Sequence, residues 1–289
     1  MKRRIPLYRR KAGAKGSAAR WPAKIWLGIA LAGIVILIAA FGQFAAPHDP
    51  TQFIEKAYSS PSSSASLGTD YQGRDVLSRF LAGGRALLIV AFLATLAAVG
   101  IGLILGLSAG SSKTWRGGLI MRCLDVIMVF PPLVFALLLL TRLGTAWWLL
   151  IIIVDLIQIP GTARVMRAAT TDIYQKDYIR AAESMGMKRF KILFSEVLPN
   201  VTGTFLVELP IRFTVSIAIV ATLNFLGFGT QPPHPDWGLM IYENKGGLSI
   251  QPWGVVLPVI AIAALAVGTN LISDGLARVL SRADATVKG

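Results

Sequence analysis

Six apolar runs set the plan of this chain: residues 25–44, 86–108, 124–140, 147–159 (extendable towards Arg164), 204–226 and 253–272. A run of roughly 18 or more residues with few charges is long enough to cross a bilayer as a helix. The pattern therefore predicts an all-α polytopic membrane protein with six transmembrane helices. The polar stretches between the runs differ in kind. Residues 47–66, with Ser59-Ser60-Pro61-Ser62-Ser63-Ser64, read as a flexible linker. Residues 67–79 read as ordered, with Thr69 or Asp70 capping a short helix that places Val76, Leu77 and Phe80 on one face.

The stretch between the fourth and fifth runs is more patterned still. Before Gly186, the residues Ile179, Ala182 and Met185 make a short apolar stripe; after it, Phe190, Leu193, Phe194, Val197 and Leu198 recur at helical spacing. Gly186 can adopt positive φ, so the spacing predicts two amphipathic helices that turn at this glycine, the second stopped at Pro199. A structured surface on the water side of a membrane needs a partner. That partner is either the lipid interface, with the hairpin lying flat, or another protein.

Composition agrees with the pattern: 54% of the 289 residues are hydrophobic and 15% charged, where soluble domains carry about a quarter charged. The net charge of +14 first suggests nucleic acid, but its placement argues for a membrane. Lys2, Arg3, Arg4, Arg9, Arg10, Lys11, Lys15, Arg20 and Lys24 all precede the first run, with no acid among them. Basic residues beside a span stay in the cytoplasm, and anionic headgroups account for the charges. The N-terminus is thus expected inside, and six crossings return the C-terminus there. Arg164, Arg167, Lys176, Arg180, Lys188, Arg189 and Lys191 fit a cytoplasmic loop, as Arg278, Arg282 and Lys288 fit a cytoplasmic tail. The loop 227–252 holds only Lys245 against Asp236 and Glu243, as an outside loop should. Residues 46–85 are less clean, with Lys56, Arg74, Arg79 and Arg85 against Asp49, Glu55, Asp70 and Asp75. The first run is longer than a signal-peptide core, and Phe44-Ala45-Ala46 is a poor cleavage site, so it reads as a retained helix. The chain divides into a basic tail (1–24), a first helix (25–45), an outer linker with a short helical segment (46–85), a five-helix core (86–273) holding the polar loop 165–200, and a tail (274–289).

Few residues offer chemistry. Gly102, Gly106 and Gly110 recur every four residues, a spacing that lets helix backbones touch in lipid, either as static packing or as a moving interface. Pro131-Pro132 should bend or interrupt the third helix. Ionisable groups at membrane depth are functional candidates by default. Glu208 and Arg212 fall at i, i+4 and read as a self-neutralising pair. Asp155 has no partner nearby in sequence; lining a pathway, capping a helix and pairing with an arginine of another subunit all fit it. Asp125, near Arg122, reads as an interfacial charge. The lone Cys123 permits no disulfide within the chain, and His48 and His234 sit beside prolines in outer loops. There is no metal-binding, nucleophile-elbow or phosphate-loop motif; Gly110-Ser111-Ser112-Lys113-Thr114 lacks the required spacing. Any energy-driven work would need a nucleotide site on another chain.

Arg180-Ala181-Ala182, Gly186 and Leu198-Pro199 resemble the "EAA" loop of membrane subunits of bacterial ATP-binding-cassette importers. Leu67-Gly68-Thr69-Asp70-Tyr71-Gln72-Gly73-Arg74-Asp75-Val76-Leu77-Ser78-Arg79 is similar to the LGTD-x-x-GRD-x-x-SR signature of the dipeptide/oligopeptide/nickel permeases. Phe225-Leu226-Gly227-Phe228-Gly229, followed by Gln231-Pro232-Pro233-His234-Pro235-Asp236-Trp237-Gly238, resembles their FLGxG-x-QPP-x-x-xWG loop, and Asn270-Leu271 with Asp274-Gly275-Leu276 resembles their closing pattern. The block directly before the second run suggests the C-type partner of a two-permease pair.

The resemblance implies the type I importer permease fold, in a bacterial cytoplasmic (inner) membrane. It implies a second homologous permease, as a heterodimer, with two cytoplasmic ATPase subunits, an extracytoplasmic solute-binding protein and membrane lipid as partners, and no nucleic acid. ATP and magnesium would sit on the ATPases, leaving no catalytic, cofactor or metal residue on this chain. Arg180, Ala181, Ala182, Glu183, Gly186, Leu198 and Pro199 would couple to an ATPase. Arg180 replaces the name-giving glutamate, and Glu183 is out of its register. Leu67, Gly68, Thr69, Asp70, Gly73, Arg74, Asp75 and Trp237 would lie on the binding-protein side, at the outer gate. The implied mechanism is alternating access. Peptides are the default substrate, since few polar side chains occur in the runs and a permissive path fits better than a nickel cage. The rivals are an ion-coupled secondary transporter using Asp155 and Glu208, which leaves the polar loop unexplained, and a membrane scaffold.

Overall fold

The computed structural model describes residues 23–112 and 114–288, with side chains to residue 280. The basic tail, 1–24, therefore lies almost wholly outside the described residues. In chain order the helices are α1 (Ala23–Phe41), α2 (Val76–Gly110), α3 (Trp115–Met128), α4 (Pro132–Leu143), α5 (Trp147–Tyr174), α6 (Asp177–Ser184), α7 (Arg189–Ile192), α8 (Leu198–Phe225), α9 (Trp237–Asn244) and α10 (Trp253–Lys288). Five stretches are long and apolar enough to cross a membrane as single helices, and α3 with α4, bent by 80°, makes a sixth as a broken span.

Three expected boundaries move, each for a local reason. The run 124–140 is not one helix, because the break falls inside it. Pro131 is held extended (φ −56°, ψ 127°), as a residue before proline prefers, and Pro132 opens α4, where its missing N–H is no loss. No separate short helix precedes the second span. Instead α2 starts at Val76, and its cap is Asp75, which accepts from the Ser78 N–H, not Thr69 or Asp70. Nor does Pro199 stop a helix. It sits in the first turn of α8, which α7 enters through a π-helical turn at Leu193–Val197.

Small residues set the helix packing. A Cβ on Gly102 would lie 2.6 Å from the Thr162 Cβ, one on Gly106 2.9 Å from the Ala163 carbonyl oxygen, and one on Gly110 2.7 Å from the Arg167 carbonyl oxygen. The glycine stripe is therefore the line along which α2 lies on α5. A second close approach joins α1 to α10, where Gly28 faces the Gly268 carbonyl and Gly275 leaves room for Ile25. Leu87, Ala91, Ala94, Ile153, Val154, Ile217, Val220 and Leu265 fill the centre between α2, α5, α8 and α10. Many large apolar side chains face outward, among them Ile34, Leu37, Phe92, Ile104 and Leu138.

Candidate functional site

At the N-terminal end of α2, the end expected outside from the charge pattern and called the outer block for that reason, the chain before α2 folds back on α9. Asp70 turns the loop by accepting from the Gln72 and Arg74 N–H groups, each at 2.9 Å. Its other oxygen takes the Arg74 Nε at 2.7 Å and lies 3.3 Å from the Arg79 Nε. Glu243, on α9, receives Arg74 at 3.2 Å and Arg79 at 2.8 Å, while its second oxygen accepts from the Tyr71 hydroxyl at 3.2 Å. All four charged side chains are at most 4% exposed. Two arginines and two carboxylates thus form a neutral buried lattice, the arrangement in which burial of charge is tolerated.

The neighbouring residues hold this lattice in place. Gly68 and Gly73 have φ of 75° and 82°, and a side chain on Gly73 would strike the Glu55 carbonyl. Gln251 donates to the Leu67 carbonyl, and Thr69 to the Lys56 carbonyl at 2.6 Å. Residues 47–66 are threaded into the same block. Glu55 accepts from Ser62 at 2.8 Å and from Ser64, and Phe53 bridges to Arg74. Trp237 is fully buried, stacks on Phe80 at 5.5 Å, and donates its indole N–H to the Phe80 carbonyl at 2.8 Å. It fits because Gly84 has no side chain; a Cβ there would be 2.5 Å from the Trp237 ring. Asp236 caps α9 through the Gly238 N–H at 2.8 Å, and burial raises its pKa from the ordinary 3.8 to about 6.

At the opposite end, α6 and α7 form a hairpin turned at Gly186, whose φ is 78°. Ile179, Ala182, Ile192, Val197 and Val201 bury against Ile173 and the C-terminal end of α2, at Leu103 and Leu107. Arg189 donates to the Ser111 hydroxyl at 3.0 Å, tying the turn to the end of α2. The apolar stripe divides: Phe190 and Phe194 do not join Val197 in the packed face. They stand outward, 72% and 55% exposed, with ring centroids 4.5 Å apart. Ile192 occupies the interior instead, because the π turn shifts the register of the face. Met185 and Tyr178 are also exposed. Arg180 points to solvent, 3.9 Å from Asp177, while Glu183 turns inward and accepts from Tyr174 at 3.0 Å. Ala181 is exposed and Ala182 buried, and Leu198 and Pro199 stand where the hairpin enters α8.

Of the membrane-depth groups, Glu208 and Arg212 pair at 2.6 Å, as their spacing predicts. Arg164 joins Asp125 at 2.7 Å. Asp155 is 8% exposed and one of its oxygens has no hydrogen-bond partner; one turn on, Gln158 donates to Ser216, which also meets Thr95. The structure brings the outer-block residues together and keeps them apart from the hairpin. Sequence reasoning missed Glu243, Asp236 as a cap, and Arg189. The available signal for Glu243 was the one spare acid of the loop 227–252, where Asp236 and Glu243 stand against Lys245.

The described fold thus has five or six membrane-spanning stretches, a buried polar block at one end of α2 and a polar hairpin at the other. Residues 102–283 match the family described as binding-protein-dependent transport system inner membrane component. The chain is 35% identical to the glutathione transport system permease protein GsiD of Pectobacterium atrosepticum, over 84% of this chain and 81% of that protein. It is 33% identical to the di/tripeptide transport system permease protein DppC of Pseudomonas aeruginosa, over 84% and 82%. To the dipeptide transport system permease protein DppC of Alkalihalophilus pseudofirmus it is 34% identical, over 75% and 71%. The chain belongs to this family: it is an inner-membrane permease subunit of an ATP-binding-cassette importer. Nothing favours the ion-coupled alternative, and Glu208 is neutralised within its own helix.

Proposed function

We propose that this permease imports small peptides, glutathione-like peptides included, handed over by a solute-binding protein, and that it does so by alternating access beside a second, homologous permease. The names of its relatives support the substrate class. In this reading both termini are cytoplasmic. The outer block and Trp237 stand on the binding-protein side, and two ATPases carry the ATP and magnesium. The hairpin of α6 and α7 docks on an ATPase. The observation that carries this assignment is the set of Tyr178, Met185, Phe190 and Phe194, large apolar side chains that are 43 to 77% exposed on the polar face of the hairpin. Large apolar groups held at a polar surface mark an interface. Arg180, beside them, would meet an acidic position on the ATPase.

Gly186→Pro tests the docking. Proline fixes φ near −65°, which the turn cannot accept at 78°. In the reconstituted transporter, peptide uptake should fall more than tenfold, and the ATPase should co-purify poorly. Uptake and peptide-stimulated ATP hydrolysis equal to wild type would remove the assignment.

A further inference from the structure

Three adjoining cavities open along one stripe of α2. The largest, about 720 Å³, is lined by Arg85, Ile89, Phe92 and Leu96, with Phe213 opposite. Those α2 positions follow the helical repeat, so the cleft runs about 16 Å down one face. A second cavity of about 500 Å³ shares Gln43, Arg85 and Ile89 and adds Thr51, Thr230 and His234. A third, about 330 Å³, shares Ala86, Ile89 and Thr230 and adds Asn224 and Gln231. Together they form a cleft that is polar at its outer end and apolar below, of the size that encloses a small organic ligand.

Its charge is one-sided. No carboxylate lines any of the three cavities. Arg85 is the last charge before an apolar stretch that runs to Gly110. Arg74 and Arg79 are each paired twice with buried acids. Arg85 has no acidic partner among the described residues, and the residues three and four away on its own helix are all apolar. Arg85 is exposed at the polar end of the cleft, so its guanidinium is free to meet an incoming group, and its planar fork suits a carboxylate.

Building on the peptide reading above, we propose that this cleft receives the substrate as it leaves the binding protein. Arg85 would hold a substrate carboxylate, with apolar side chains resting on Ile89, Phe92 and Phe213. The test uses the complete transporter with its binding protein, reconstituted in phosphatidylcholine vesicles and supplied with labelled alanyl-leucine. The readout is peptide imported per ATP hydrolysed, for Arg85→Lys, Arg85→Gln and Arg85→Glu.

Held charge predicts a graded series. Lysine should keep at least half the wild-type ratio, glutamine should lose about fivefold, and glutamate should lose more. Equal ratios in all three variants would overturn the site. So would a loss that does not follow charge, or a parallel fall in assembly and thermal stability, which would mark Arg85 as an anchor for lipid phosphate. Wild-type vesicles that fail to import the peptide would instead sink the substrate reading, whereas import by wild type and Arg85→Glu alike would sink only the Arg85 assignment.

Discussion

The two polar regions at the ends of α2 use the same kinds of residue to opposite ends. In the outer block, Arg74, Arg79, Asp70 and Glu243 are buried and spend their charge on one another. In the inner hairpin, Arg180 stands in solvent, its approach to Asp177 stretched to 3.9 Å, and Phe190 and Phe194 face outward. The first region is complete within the chain. The second has its apolar and charged groups turned to something else. A residue type therefore says little here about role; whether its valences are satisfied inside the subunit says more.

The largest effect should come from breaking the outer lattice. Glu243→Ala leaves Arg74 and Arg79 sharing Asp70 alone, and removing one member of a buried ion set costs about 3–5 kcal/mol. Denaturant unfolding of the purified subunit should show that loss, and protease should then cut within residues 46–75. Wild-type stability in this variant would mean that the outer block is not self-sufficient, and the comparison would fail.

A smaller, pH-dependent effect belongs to Asp236. Its pKa is raised by burial from 3.8 to about 6, so the folded state holds the proton more tightly than the unfolded chain. The stabilisation is full below pH 4 and is lost as pH rises through 6, a swing of up to about 3 kcal/mol. Between pH 4.5 and 7.5 the unfolding temperature of the wild type should therefore fall. Asp236→Asn still offers an oxygen to the Gly238 N–H but cannot titrate, and its slope over that window should be flatter. Parallel slopes would show that the α9 cap is not a titrating part of the block.

Much of this plan was legible in the sequence. The apolar runs gave the spans, the four-residue glycine spacing gave a close helix contact along α2 though not its partner α5, and Gly186 gave the turn of the hairpin. The places that resisted reading are those set by contacts remote in sequence. Glu243 is 169 residues from Arg74, its partner across the outer block, and no periodicity links them. The π turn at Leu193–Val197 rotates Phe190 and Phe194 out of the stripe that a regular helix would bury. One helix start was misjudged where a charged residue looked like a boundary: Arg85, like Arg79, lies inside α2. Their charge is met by the ion lattice in one case and faces an acid-free cleft in the other.

The smallest effect on the fold should come from the hairpin, and it sharpens the comparison most. Phe190 and Phe194 are 72% and 55% exposed, so cutting both to alanine removes little packing within the subunit. Surface changes of this kind usually stay within about 0.5 kcal/mol of wild type. If the hairpin is an ATPase-docking surface, the same change strips aromatic anchors from an interface, where each can be worth about 2 kcal/mol or more, roughly thirtyfold in affinity. The double variant should thus fold and insert as wild type does, yet lose the ATPase on purification. A fully assembled, transporting complex would place the docking contact elsewhere. A subunit that unfolds would show that the aromatics serve this chain, as the outer charges do, and the contrast between the two ends would disappear.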